Sequence, residues 1–239
     1  MKHSQVFLRD ENFIGRVLDF LEVKEGDFFV EVGPGMGNIT FGILRRGGKI
    51  LAIEIDEFFC GYLKTKGVDV ICGDYLNVEV EKELKLRGIP IPVRFFSSVP
   101  YHITHKILLK ICFERALYSD ITLILQLEVA EKLLAKPNTK KYSSFTVLMN
   151  TLFEISRIFN IPNRAFSPIP KVHSSLISLK PKPETLEINC EEFLRFLNRF
   201  FSERRKKLKN LDRNIPERFK DLRPENLTFE DWLSLFKSR

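Results

Sequence analysis

Three carboxylates stand at the ends of consecutive apolar runs, and a loop of alternating glycines follows the first. Glu31 lies two residues before Gly33 in the stretch FFVEVGPGMGN, residues 28–38, where Gly33, Gly35 and Gly37 come directly after a Val- and Phe-rich run. Glycines there let the backbone turn tightly and approach a ligand with no Cβ in the way. Glu54 falls 21 positions after Gly33, where an acid can accept hydrogen bonds from ribose hydroxyls. Asp74 follows Gly73 after a third apolar run, placed to accept the amino proton of an adenine. The spacing is G-x-G-x-G rather than the dinucleotide G-x-G-x-x-G, and no lysine stands in the loop to meet phosphates. Glu54 alone fits a dinucleotide equally well, and a single Asp after Gly is ordinarily a turn or helix cap. The ordered trio suits S-adenosylmethionine, which has no phosphates and carries positive sulfonium and ammonium groups.

A second constellation is Ser97-Ser98-Val99-Pro100-Tyr101, at the end of a fourth apolar run. An exocyclic amine on a nucleobase is a poor nucleophile, because its lone pair is delocalised into the ring. Acceptors on its N–H groups help it pyramidalise, and a fixed orientation aligns it with an incoming methyl. The Pro100 carbonyl is read as one acceptor and Tyr101 as a stacking platform. His102, His105 and His173 have no partner at metal-ligand spacing. Methyl transfer from a sulfonium needs no metal, so no metal site and no catalytic histidine is assigned.

The elements that must hold these residues follow from the pattern. Runs at 28–32, 50–55, 68–72, 94–97 and 121–126 read as buried strands, alternating with helices near 38–46, 57–66, 104–116 and 127–135. Runs at 153–161 and 172–179, with no long helix between them, read as an antiparallel pair ending the sheet. The predicted fold is α/β, a doubly wound, mostly parallel seven-stranded sheet of the Rossmann-like kind with a small C-terminal helical domain. The KPKP segment at 180–183 cannot continue a strand, so the boundary is placed there: a cofactor-binding domain at 1–182 and a helical domain at 183–239. In the latter, 190–211 reads as one helix and 229–236 as the last, with Thr228 as N-cap.

The 239 residues carry a net charge of +7, and 44% are hydrophobic. That composition excludes long disorder, and no run approaches the ~20 apolar residues of a membrane span. The opening MKHSQVFLRDENF is charged and broken and does not read as a signal peptide. Four scattered cysteines without a CxxC pair argue against zinc and a disulfide framework and for a reducing compartment. Two glutamines amid abundant Lys and Glu tilt toward heat adaptation. Arg195, Arg199, Arg204, Arg205, Lys206, Lys207, Lys209 and Arg213 share one stretch containing only Glu203 and Asp212 as acids after residue 194. This basic ridge, with Lys140, Lys141 and Lys171 as extensions, is read as facing nucleic-acid phosphates.

Taken in order, these motifs resemble the ribosomal RNA adenine N6-dimethyltransferases, a family of class I methyltransferases. The resemblance runs over nearly the whole chain: SQVFL at 4–8, EVGPGMGNIT at 31–40, IEID at 53–56, GDYL at 73–76, VPY at 99–101, LQLEVAE at 125–131, FSPIPKVHSS at 166–175 and FFSERRKKL at 200–208. It implies that Gly33, Gly35 and Gly37 wrap the methionine part of S-adenosylmethionine, with Glu31 also a cofactor-binding residue. Glu54 would take the ribose, Asp74 with Tyr75 the adenine, Ile55 would pack on the adenine face, and Val6 and Leu8 would contribute from an N-terminal lid. Ser98, which also borders the cofactor, Pro100 and Tyr101 would form the amine site, with Phe166 on the other face of a base taken out of its stack. Lys171, Arg204, Arg205, Lys206 and Lys207 would contact RNA. The implied activity is dimethylation of two adjacent adenosines near the 3′ end of small-subunit ribosomal RNA during ribosome biogenesis, by a cytoplasmic monomer acting on a pre-30S-type particle. The chain departs from the family in carrying Ser98 where Asn is usual, Val6 for Asn and Ser4 for Gly, and in its short region after Pro183. Ser98 is the feature favouring the alternative of a non-catalytic or weakly active rRNA-binding assembly factor; methylation of large-subunit RNA is the other alternative.

Overall fold

The computed structural model describes residues 6–238; Ser4 and Gln5 of the opening motif lie outside them. Among the described residues a seven-stranded sheet has the order β4-β3-β2-β5-β6-β9-β7. Its strands are β2 (Phe28–Val32), β3 (Lys49–Glu54), β4 (Asp69–Cys72), β5 (Val93–Ser98), β6 (Tyr118–Gln126), β7 (Phe153–Ile161) and β9 (Ser174–Pro181). Pairings β4–β3, β3–β2, β2–β5 and β5–β6 are parallel, and β6–β9 is antiparallel. The expected fold class therefore holds. The strand order reverses between β2 and β5, which opens a crevice at their carboxyl ends.

Central strands are nearly continuous in apolar residues because helices cover them. Phe29, Ala52 and Val70 pack with Val17, Leu18 and Leu21 of α1 (Glu11–Leu21), Ile43 of α2 (Thr40–Arg45) and Leu63 of α3 (Glu57–Thr65). Asp10 and Asp56 start α1 and α3 by accepting backbone N–H groups through their side chains. Helix α1 was not expected from the sequence, although Asp10 before an amphipathic run is its signal. A second, two-stranded sheet joins β1 (Phe7–Leu8) to β8 (Phe166–Ser167), with Leu8 opposite Phe166.

Contacts divide the chain into two compact units, the described parts of Met1–Leu127 with Ser156–Lys180, and of Glu128–Ile155 with Pro181–Arg239. The sequence reading cut the chain once, after residue 182, whereas contacts place residues 128–155 with the tail. The cause is aromatic packing within the second unit. Helix α7 (Ser144–Leu152) contacts α8 (Cys190–Phe201) and α9 (Phe229–Lys237). Tyr142, preceding α7, is fully buried, donates to the Leu227 carbonyl at 2.8 Å and meets the rings of Phe201 and Phe229. Thr228 caps α9 in a reciprocal box with Asp231.

Two other expectations are corrected. The helix over 190–211 stops at Phe201, because the following turns bring Leu208 N–H onto the Leu222 carbonyl at 2.8 Å and bury its side chain. Arg204–Lys207 therefore lie beyond the helix. Cys60 of α3 and Cys72, at the end of β4, form a disulfide with Cα atoms 5.7 Å apart; the packing of α3 on β4 brings together cysteines that the sequence leaves scattered.

Candidate active site

A cavity of about 320 Å³ opens at the carboxyl ends of β2, β3, β5 and β6, within the first unit. It is lined by Glu31, Gly33, Gly35, Glu54, Ile55, Ser98, Pro100, Tyr101 and Phe166, with Val6 and Leu8 from the N-terminal segment. The β1–β8 pairing brings Leu8 and Phe166 to the same wall, and the Asn38 side chain donates to the Leu8 carbonyl at 2.7 Å, fastening that segment to the glycine loop.

Each acid is placed by backbone donors or by burial. Glu54, 4% exposed, accepts from Gly35 N–H through Oε2 and from Asp56 N–H through Oε1, both at 2.9 Å. A carboxylate oxygen has two acceptor sites, so each Glu54 oxygen can still take a ribose hydroxyl. Glu31 is 2% exposed and its Oε2 has no hydrogen-bond partner. Burial pushes its pKa up to about 8; the neighbouring Thr40 hydroxyl, itself outside hydrogen-bonding geometry, works against that shift, and the Glu54 carboxylate adds to it. A buried orphan carboxylate oxygen at a cavity wall is costly unless a cationic or donating ligand meets it. At Gly35, φ is +55° and an added Cβ would collide with the Phe7 ring, so the cradle requires glycine. An ammonium- and sulfonium-bearing nucleoside fits this donor and acceptor set.

Some residues fall elsewhere than the sequence placed them. Gly37 does not line the cavity; its N–H closes a turn onto the Pro34 carbonyl at 2.9 Å. Asp74 and Tyr75 are also outside the lining: Asp74 Oδ1 accepts from Leu76 N–H at 2.9 Å, and Tyr75 is buried with its hydroxyl on Glu114 at 2.7 Å. The Tyr75 ring turns inward because it starts a 3₁₀ turn, Tyr75–Asn77, over the Phe95 ring. The Pro100 carbonyl already accepts from Thr104 Oγ1 at 3.1 Å and Ile103 N–H at 3.3 Å. The carbonyl of Val99, a lining residue, accepts no hydrogen bond among the described residues. The Pro100 carbonyl is occupied because the chain turns into a 3₁₀ helix at Tyr101–Ile103 and uses Pro100 as its cap. Ser174, buried and within 3.2 Å of the Tyr101 hydroxyl, was missed by sequence reasoning; its only sequence signal is its place in the FSPIPKVHSS motif.

The basic residues are more internally paired than the sequence suggested. Arg204 pairs with Glu225, Lys206 with Glu203, and Lys207 and Lys209 with Asp221 at 2.9 and 2.8 Å. Those two lysines, Lys209 foremost, hold the Asp221 carboxyl down to about 2. Arg205 is exposed and, like Arg213, has no ion-pair partner among the described residues; Lys171 is exposed. His173 accepts Asn163 N–H at 3.2 Å, a structural bond. Among the described residues no cluster of three His, Cys, Asp or Glu could hold a metal, and no helix is long and apolar enough to cross a membrane.

A parallel sheet with this strand order, a glycine loop after its first long strand and an acid closing the next define a Rossmann-like, S-adenosylmethionine-dependent methyltransferase. The family profile described as ribosomal RNA adenine dimethylase matches residues 1–233, and the chain belongs to that family. It is 33% identical to a ribosomal RNA small subunit methyltransferase A of Thermotoga maritima, over 99% of this chain and 84% of that protein. Its fold is similar to that of a dimethyladenosine transferase from Plasmodium falciparum (TM-score 0.84, 22% identity, 97% of this chain and 96% of the other). It is also similar to the 23S rRNA methyltransferase ErmE (TM-score 0.72, 27% identity, 97% and 98%).

Proposed function

We propose that this protein dimethylates N6 of two adjacent adenosines near the 3′ end of small-subunit ribosomal RNA, acting as a cytoplasmic monomer on a pre-30S-type particle. The observation that carries the reading is one cavity joining the cofactor acids Glu31 and Glu54 to Ser98, Tyr101 and Phe166. S-adenosylmethionine supplies an electrophilic methyl on a sulfonium. Glu31 is suited to its ammonium group, Glu54 to its ribose and Ile55 to the face of its adenine, while Asp74, outside the cavity lining, is assigned the amino edge.

The target adenosine must leave its stack to reach the cavity. Tyr101 and Phe166 hold the base between two rings, so the N6 amine arrives in a fixed orientation. The Ser98 hydroxyl and Val99 carbonyl accept its two N–H groups. That draws the lone pair out of conjugation and stabilises the positive charge developing on nitrogen. A serine hydroxyl is shorter than the family's asparagine amide but accepts in the same way; the proton leaves to water after transfer. Arg205, Arg213 and Lys171 offer charge to phosphates directly. Lys206 and Lys207 do so by exchanging surface ion pairs worth only about 0–1 kcal/mol each, whereas Arg204 would have to leave Glu225 and the Lys140 carbonyl.

Incubation with labelled S-adenosylmethionine and unmodified small subunits tests the reading. Two methyls on each of two adjacent adenosines are expected. Label appearing instead on large-subunit RNA would redirect the substrate, and cofactor binding without label on either RNA would favour the assembly-factor alternative.

A further inference from the structure

The segment 73–78, which carries Asp74, is tied down at both ends. Gly73 N–H bonds the Glu54 carbonyl at 2.8 Å, joining its start to β3. At its far end the Val78 carbonyl accepts from Lys110 Nζ at 2.9 Å, on α5 (Thr104–Glu114). Between them Tyr75, 3% exposed, donates its hydroxyl to Glu114 Oε2 at 2.7 Å, and Lys110 pairs with Glu114 Oε1 at 2.8 Å while lying 5.1 Å from the Tyr75 ring centroid. Tyr118, on β6, donates to the same Glu114 oxygen at 2.9 Å but belongs to no part of the segment. Burial foremost, with the carboxylate beside them, raises both phenols well above their ordinary range, so both remain donors. Asp74 itself spends Oδ1 on Leu76 N–H; the direction of its other oxygen is set by where the turn sits.

We propose that Tyr75 and Lys110, gathered on Glu114, form a positioning clamp that fixes Asp74 for recognition of the adenine amino group. The proposal rests on the reading of Asp74 as that group's acceptor. The clamp touches no ligand; it sets the register of the turn, and with it the carboxylate.

Calorimetry with the full chain and two probes tests this. S-adenosylhomocysteine presents the amino group, whereas S-inosylhomocysteine presents a carbonyl in its place. The wild type is expected to bind the first about tenfold tighter, the worth of one charge-assisted hydrogen bond. Tyr75→Phe should shrink that ratio by about fivefold through weaker binding of the adenine probe alone. Tyr118→Phe removes an equivalent buried hydroxyl from the same carboxylate and should lower thermal stability while leaving the ratio intact. Where Tyr75→Phe does not fold, Lys110→Met takes its place with the same expectation. A ratio unchanged by Tyr75→Phe, or lowered equally by Tyr118→Phe, overturns the clamp. A wild type without preference, or one whose preference survives Asp74→Asn, overturns the Asp74 reading instead.

Discussion

Cofactor affinity should rise with pH, and Glu31 should be the reason. An ordinary glutamate has lost its proton well below neutrality; Glu31, buried beside Glu54, holds its proton to about 8. At pH 7 only about a tenth of it is therefore ionised. Its side chain lines the cavity and leaves Oε2 without a hydrogen-bond partner, and a cationic ligand there favours the carboxylate. Binding must then expel a proton, and affinity should climb by up to about tenfold per pH unit until about pH 8, then level. The same shift acts on stability with a definite sign. The folded state holds its proton more tightly than the unfolded chain, so stability is full below 4.5, the ordinary glutamate value, declines as pH rises toward about 8, and is flat above. The loss is on the order of a few kcal/mol, less as water enters the site. Glu31→Gln removes the titration. The variant should melt higher than the wild type at alkaline pH without ligand, and bind more weakly there with a flatter pH profile. Titration calorimetry from about pH 6 to about pH 9, in buffers of different ionisation enthalpy, counts the proton directly. The ligand's own amine titrates near the top of this window, so the quantity to read is the difference between wild type and Glu31→Gln. Equal slopes in the two proteins, or no proton released by the wild type near neutrality, would refute the argument.

Tyr101→Ala should lower turnover on RNA by about ten- to a hundredfold, the worth of one base–aromatic stack, and leave cofactor affinity nearly unchanged; equal losses in both would rule out stacking. Gly35→Ala should weaken cofactor binding by at least about tenfold, since the left-handed backbone costs about 1–2 kcal/mol and the new Cβ displaces Phe7. Gly26→Ala, with φ of +87° but open space around it, should cost stability alone. Charge reversal at Arg205 and Arg213 should weaken binding to small-subunit RNA and flatten its salt dependence by about one counterion per lost phosphate contact. Binding that keeps the wild-type salt slope would show that these arginines meet no phosphate.

The sequence by itself determined the sheet and the placing of most of its ligands. A strand, a glycine loop and an acid at the next strand end are local features, governed by backbone sterics and side-chain periodicity. Glu31, Gly33, Gly35, Glu54 and Ser98 were accordingly legible at their positions, and all of them line the cavity. Tertiary structure decided what each group's neighbours leave it free to do. Leu8 and Phe166 share a wall only because two short strands pair across most of the chain. Pro100 lost its carbonyl to Thr104 and Ile103, Tyr75 turned its hydroxyl inward to Glu114, and Arg204, Lys207 and Lys209 found Glu225 and Asp221 outside their own stretch. The physical reason is common to these cases. A buried polar group must find a partner, and surface charges pair with whatever opposite charge the fold brings near. Those partners stand far away in the sequence, so only the closed structure could assign them.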